Sequence, residues 1–264
     1  MSGSDKINRL SHLLRLQIVA DNSIMLYVES GSMGLNKANM IVGVICKALL
    51  KVRPPWLREY IPSYTSLLIE FSLFEIDHLA VKHFMSHLIE HQQDEIMKLV
   101  NAPEGEQDNT AMQRIPVCYE LPDVDNDLAL LSQKKGLSEQ ELISLHCSKP
   151  YRVYATGFLP GFAYLGELPE LLSQSRLDKP RLKVAKGAVA IADRQTAIYP
   201  SESPGGWHIL GYTPIDLLVS EVRPSASPKK QVSSQATLTA KLNLGDYVAF
   251  FPITKQEYEA WNKP

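Results

Sequence analysis

Residues 151–215 read YRVYATGFLPGFAYLGELPELLSQSRLDKPRLKVAKGAVAIADRQTAIYPSESPGGWHILGYTPI. Gly, Pro and aromatic residues alternate here too densely for ordinary sheet connections. Thr156-Gly157-Phe158-Leu159-Pro160-Gly161-Phe162 sets two glycines and a proline between aromatics. Ser203-Pro204-Gly205-Gly206-Trp207 repeats that chemistry further on. Glycine lets backbone approach a ligand closely, and proline fixes φ. Both segments are therefore expected to be rigid loops lining a cleft. Around them, residues 188–192, 196–199, 208–210 and 247–251 are short β-type runs separated by Pro/Gly turns. That pattern points to a β-barrel or sandwich.

Upstream the rhythm changes. Residues 13–19 and 24–28 are β-like, with Asp21-Asn22-Ser23 as a hairpin turn signal between them. Ala38, Ile41, Val42, Ile45, Ala48 and Leu49 recur at helical spacing, and Arg53-Pro54-Pro55 stops that helix. Residues 66–71 are strand-like. Asp77 then offers an N-cap for one helix carrying Val81, Phe84, Met85, Leu88, Ile96 and Leu99. Residues 1–100 thus read as a small α+β domain. Residues 101–110 (NAPEGEQDNT) are polar and aperiodic, the expected linker. A mainly-β domain over 111–264 follows. It opens with a strand at 115–119 and holds a helix whose Ser138 and Glu141 have capping-box spacing. Residues 224–240, rich in Ser, Thr, Lys and Ala, are expected to form a flexible excursion.

Composition narrows the function classes. A chain of 264 residues has room for two modest domains. Net charge of −2 offers no basic surface for nucleic acid. The longest apolar run, 41–46, is broken by Gly43 and is far short of a membrane span. Ser11, His12, Arg15, Gln17 and Asp21 break any signal-peptide core. Cys46, Cys118 and Cys147 lack CxxC spacing and sit among apolar neighbours, as expected of reduced thiols in the cytoplasm. No P-loop, dinucleotide fingerprint, nucleophile elbow or HExxH is present. His83, His87 and His91 follow i, i+4, i+8 spacing after His78, which is a metal-capable pattern. They lie beside Glu90, Asp94 and Lys98, off the apolar stripe, and read as a solvated face, so no metal site is expected.

Between the two Gly-rich segments stand Arg176, Lys179, Arg181, Lys183 and Lys186. Such a run is either a solvated loop or a set of cations facing an anion. Lys186-Gly187 and Ser203–Gly206 are either tight turns or backbone donors to an anion. His146, at the end of the capped helix, is either a proton-transfer group or a packing histidine. Phe158, Phe162, Tyr164 and Trp207 are either barrel core or a binding wall. Residue chemistry leaves each of these alternatives open.

Together the motifs resemble the KipI / allophanate hydrolase subunit 1 family. Gly157–Leu165 matches its GFxPGFxYL signature. Pro180-Arg181, Lys186–Ala192, Gln195–Pro200, Ser203–Trp207, Gly211-Tyr212-Thr213-Pro214 and the closing Gly245–Phe250 follow in family order, after Ser63–Leu68 and Leu145-His146. Departures are Ala188 for a usual Ser, Ala197 for a common Gly, Tyr212 for a common Arg, and a longer 224–240 connection.

The resemblance implies an α+β N-terminal domain followed by a mainly-β, cyclophilin-like barrel domain. It further implies one component of an ATP-dependent 5-oxoprolinase, which opens 5-oxoproline to glutamate together with subunit-A and subunit-C homologues. The subunit-C homologue would be the stable partner and the subunit-A homologue the functional one. A lactam or amide would be the substrate, and Mg-ATP would act only in the assembled complex. The family also includes inhibitors of a sensor histidine kinase and modules of urea amidolyase-type systems. The resemblance assigns no site roles; residue chemistry makes Arg176, Arg181 and His146 the expected catalytic residues. The expected binding residues are Phe158, Gly161, Phe162, Tyr164, Lys186, Gln195, Tyr199, Pro204, Gly205, Gly206, Trp207 and Thr213.

Overall fold

The computed structural model describes residues 10, 12–103, 112–121, 124–221 and 237–261. The chain divides into two units, Met1–Asn109 and Thr110–Pro264. In the first, β1 (Leu14–Ala20) and β2 (Ser23–Val28) form the hairpin that the Asp21-Asn22-Ser23 signal predicts. β4 (Ser66–Phe71) pairs with β2, and β3 (Leu57–Ser63) pairs with β4, giving an antiparallel sheet in the order β1-β2-β4-β3. Strand residues alternate between faces. Ile24, Leu26 and Val28 of β2 and Leu67, Ile69 and Phe71 of β4 are accordingly buried, with half-buried neighbours between them. Helix α1 (Gly34–Val52) buries Ala38, Ile41, Val42, Ile45 and Leu49, the stripe read from the sequence. Helix α2 (His78–His91) adds Val81 and Met85. Asp77 caps α2 by accepting the Ala80 N–H at 2.8 Å.

Two expectations change in this unit. The single helix expected after Asp77 is two, since α2 ends at His91, Gln92 caps it, and α3 (Gln93–Asn101) follows. Asp94 and Glu95 fall in the first turn of α3, where the helix N-terminal partial charge favours carboxylates. Strand β3 gives no clear strand signal, because Pro62 interrupts it and its side chains are largely half-exposed. An edge strand tolerates both features. Residue Asn101 closes α3, and the remainder of the expected linker, from 104 onward, lies outside the described residues.

The second unit is built on seven strands: β5 (Met112–Val117), β6 (Tyr151–Thr156), β7 (Ala163–Gly166), β9 (Ala188–Ala192), β10 (Gln195–Ile198), β12 (His208–Tyr212) and β15 (Tyr247–Pro252). Their order is β12-β9-β10-β7-β6-β15-β5, antiparallel except for the β15/β5 pair. Cys118, just beyond β5, exchanges two backbone hydrogen bonds with Tyr212 of β12, at 2.8 and 2.9 Å. The two ends of the sheet therefore meet, and it forms a nearly closed barrel. Two ribbons flank it: β8 (Arg181–Val184) with β11 (Ser203–Gly205), and β13 (Leu218–Glu221) with β14 (Thr237–Ala240). The segment expected to be a flexible excursion thus ends in a paired strand, and its residues 224–236 lie outside the described residues.

Helices α4 (Leu128–Lys135) and α5 (Glu139–His146) pack Leu128, Leu131, Leu142 and Ile143 into the core with Val189, Ile191, Ile198 and Val248. Both halves of the Ser138/Glu141 capping box are formed. Helix α4 and the C-terminal α6 (Lys255–Trp261) were not read from the sequence. At eight and seven residues they are too short to show a stripe.

Closure of the sheet depends on Gly211. A Cβ there would stand 2.5 Å from the Cys118 carbonyl oxygen, and its nearest neighbours are all backbone atoms of Cys118 and Tyr119, with no flexible side chain to yield. Gly43, inside α1, has open space where its Cβ would be. The same substitution should therefore act with opposite sign at the two positions. Gly211→Ala is expected to lower stability by about 2–3 kcal/mol, and Gly43→Ala to raise it by about 0.5–1 kcal/mol. Urea denaturation of both variants checks this. A Gly211→Ala protein as stable as the parent would mean that the seam relaxes freely.

Candidate functional site

Strand β9 (AVAIA) divides its residues between two faces. Val189 and Ile191 enter the helix-side core, while Ala188, Ala190 and Ala192, with Ala197 of β10, form a small-residue floor on the other face. Four short side chains leave room for large ones above them. Phe162, Tyr199, Trp207 and Tyr212 fill that space. Phe162 is the hub, set edge-on to Tyr164 at 5.0 Å, Phe158 at 5.3 Å, Tyr199 at 5.5 Å and Trp207 at 5.9 Å. T-shaped pairs at such spacings are favourable beyond the area they bury. Phe162, Tyr199 and Trp207 are buried, while Phe158 at the rim is 61% exposed. Phe162, Tyr199 and Trp207 are thus packed core, and Phe158 forms an exposed aromatic edge beside them.

The Gly-rich loops hold this group in place. Gly157 donates its N–H to Phe162 O at 3.2 Å, and Phe162 donates to Leu159 O at 3.0 Å. Gly161 has φ +80°, and a Cβ there would press on Leu218 at 2.9 Å. A Cβ at Gly205 would overlap the Tyr199 hydroxyl, so glycine is what lets the second loop seat against the ring.

The cations divide sharply. Arg176 is exposed, with its guanidinium 6.0 Å from the centre of the Trp207 ring. Three contacts pin the backbone around it. Gln174 and Asp193 exchange backbone hydrogen bonds, Ser175 O contacts His208 Nε2 at 3.0 Å, and Leu177 N–H donates to Gly206 O at 2.7 Å. Arg176 makes no ion pair among the described residues. Arg181 is committed instead. Its Nη2 donates to Asp127 Oδ1 at 2.7 Å, its Nε lies 3.4 Å from Asp125 Oδ2, and its Nη1 donates to Trp207 O at 3.4 Å. The Arg181 side chain is 22% exposed and that of Asp127 only 7%. A guanidinium so engaged is an internal latch, which corrects the expectation of an anion-facing Arg181. Lys183 pairs with Glu202 at 2.9 Å and Lys186 with Asp216 at 2.5 Å, both on the surface.

The other expected residues scatter. Lys186 lies beside Thr213 at a separate turn, where Thr213 N–H donates to Gly187 O at 2.9 Å, with Tyr199 O accepting from Gly187 at 2.8 Å. Thr213 is buried. Gln195 shares the Tyr199 face of the β10 run but starts that strand, opposite Gly166. Pro204 is exposed, and Gly206 packs near Pro180. His146 is a second correction. It is fully buried, with Nδ1 2.8 Å from the Tyr119 hydroxyl and Nε2 3.0 Å from Thr196 Oγ1, and it stacks on Phe250 at 4.6 Å. Burial lowers its pKa to about 3, so it stays neutral and acts as a core residue rather than a proton-transfer group.

Sequence reasoning missed Asp127 and His208. Asp127 Oδ2 accepts the Ile209 N–H at 2.7 Å while its own N–H donates to Ile209 O, so one residue clamps β12. Asp127, one of three aspartates in 123–127, carried no distinguishing pattern. His208 is buried and holds Ser175, but as one polar residue in a strand it carried no distinguishing pattern.

Residues 14–226 match the family model described as carboxyltransferase domain, subdomain C and D. The chain is 32% identical to the B-type 5-oxoprolinase subunit of Bacillus subtilis over 209 residues, 79% of this chain and 81% of that one. The crystal structure of TTHA0988 superposes with a TM-score of 0.67 at 28% identity, covering 89% of this chain and 40% of that one. The chain thus spans about two fifths of that protein's length. The urea amidolyase of K. lactis superposes with a TM-score of 0.64 at 17% identity, over 94% of this chain and 15% of that one. At that identity the likeness is one of fold.

The buried groups have measurable consequences. The unfolded chain protonates His146 near its ordinary value of 6.5, whereas the folded chain resists until about pH 3. Acid therefore favours unfolding. This group alone removes stability at about 1.4 kcal/mol per pH unit as pH falls below 6.5. His146→Gln is expected to flatten that slope in urea titrations at pH 7.5 and 5.5, and an unchanged slope would sink the idea. Arg181→Ala should cost about 2–3 kcal/mol, because it strands a buried carboxylate. Arg181→Ala/Asp127→Asn should cost less than the sum of its single changes. Additive losses in thermal and urea melts would show that the pair does not act as a unit.

Proposed function

Because this chain belongs to the carboxyltransferase subdomain C and D family, and within it to the B-type 5-oxoprolinase group, we propose that it is the B-type component of an ATP-dependent 5-oxoprolinase. The complete reaction would convert 5-oxoproline, ATP and water to glutamate, ADP and phosphate. A subunit-C homologue would bind this chain stably, and a subunit-A homologue would complete the activity.

One observation supports a substrate-holding role: an exposed guanidinium with no ion pair among the described residues lies 6.0 Å from the centre of the Trp207 ring. 5-Oxoproline is a flat five-membered lactam with a carboxylate. The exposed edge of Phe158 would offer an apolar face for the lactam, and Arg176, beside the buried Trp207, would offer two parallel N–H donors to the carboxylate. The backbone contacts at Gln174, Ser175 and Leu177 fix the approach of Arg176 before the ligand arrives, which limits the ordering cost of binding. Held by its carboxylate, the lactam would leave its ring carbonyl free of Arg176.

Among the described residues near the aromatic group, the side chains fit Mg-ATP poorly. A triphosphate needs several convergent donors, and Mg needs free carboxylates. Asp125 and Asp127 are engaged by Arg181, Lys183 pairs with Glu202, and Lys186, at its separate turn, pairs with Asp216. On this reading a partner would hold ATP. The amide bond of a lactam is stable, so activation of its carbonyl falls to that partner too.

In the reconstituted three-component complex, Arg176→Ala should lower kcat/KM for 5-oxoproline by about 30-fold or more, roughly 2 kcal/mol, while the melting temperature of the single chain stays unchanged. Arg176→Lys should recover part of the loss, since an ammonium lacks the bidentate fork. The chain alone should release no glutamate. Full activity in Arg176→Ala, or turnover by the isolated chain, would overturn this assignment and favour a regulatory binding role.

A further inference from the structure

Helix α2 carries a feature that the proposed reaction does not use. His83 and His87, one turn apart on its exposed face, bring their Nε2 atoms to 3.1 Å, with ring centres 4.4 Å apart and planes nearly perpendicular. Nitrogen ligands about 2.0–2.1 Å from a metal lie about 3.3 Å apart at a tetrahedral angle and about 2.9 Å apart at a right angle. The observed spacing falls between these limits. Nδ1 of His87 lies 3.2 Å from Glu90 Oε2. That carboxylate favours a proton on Nδ1 and leaves Nε2 as a lone pair, the arrangement that supports imidazole ligands in metal sites. His91 is turned away, with its Nδ1 held at 2.7 Å by the His87 carbonyl oxygen.

We propose that His83 and His87 form a two-nitrogen site for a late divalent transition ion such as Cu2+, Ni2+ or Zn2+. On binding, neutral His83 moves its one ring proton from Nε2 to Nδ1, and the ion replaces the hydrogen bond between the rings. Among the described residues no third His, Cys, Asp or Glu is grouped with the pair. The remaining coordination positions are therefore open to water or to a donor from another molecule. A hard ion such as Mg2+ prefers oxygen ligands and is excluded by the chemistry of the pair.

The test uses the full chain without a histidine tag. Calorimetric titration with Cu2+ should show one ion bound per chain, and the Cu2+ electron paramagnetic resonance spectrum should show coupling to two equatorial nitrogens. Zn2+ should raise the melting temperature of the chain, since only the folded helix holds both rings together. His83→Asn and His87→Asn should each abolish the two-nitrogen signal, His91→Asn should leave it intact, and Mg2+ should give no heat. Wild-type Cu2+ binding by His83→Asn/His87→Asn, or loss caused by His91→Asn alone, would overturn the assignment. Circular dichroism of each variant separates loss of the ligands from loss of the helix.

Discussion

Two backbone hydrogen bonds between Cys118 and Tyr212 join the ends of a seven-stranded sheet, and the second unit is organised around that seam. The bonds form only because Gly211 leaves room for the Cys118 carbonyl. From the seam outward the contacts follow one another. The Tyr212 hydroxyl donates to Asp125 O, Asp127 clamps Ile209 through both its backbone and its carboxylate, and Arg181 spans Asp125, Asp127 and the carbonyl of Trp207. The tryptophan of the candidate site is thus positioned by the contacts that close the barrel.

The two arginines show how burial decides what a cation does. Arg181 has given up much of its hydration, and the desolvation cost is offset only by well-placed carboxylates, so it is committed to holding structure. Arg176 keeps its exposure and stands over an aromatic ring, where attraction is modest and the donors stay available. Two guanidiniums of the same chemistry stand five positions apart, and the surroundings give them opposite duties.

Small residues do comparable work on the sheet. The alanines of β9 and β10 contribute little burial themselves, but they set the depth into which Phe162, Tyr199 and Trp207 descend. Two of them, Ala188 and Ala197, stand where the family commonly has other small residues. The departures therefore keep the floor shallow and leave the aromatic packing intact. Tyr212 in place of a common arginine is absorbed in the same way, since its hydroxyl ties the seam to the Asp125 loop.

Much of the architecture was legible in the sequence, because local patterns report local physics. The α1 stripe, the Asp77 cap, the Ser138 capping box and the β-runs at 188–192 and 208–210 follow from side-chain period and capping chemistry. Family motifs located the aromatic and Gly-rich segments of the site. Tertiary structure alone decided which charges were free. Arg176 and Arg181 look alike along the chain, and only the long-range approach of Asp125 and Asp127 separates them. The same holds for His146, whose burial against Phe250 and Thr196 comes from strands far along the chain. Side-chain type and spacing are written in the sequence, whereas hydration and ion pairing depend on which distant segments the closed sheet brings together.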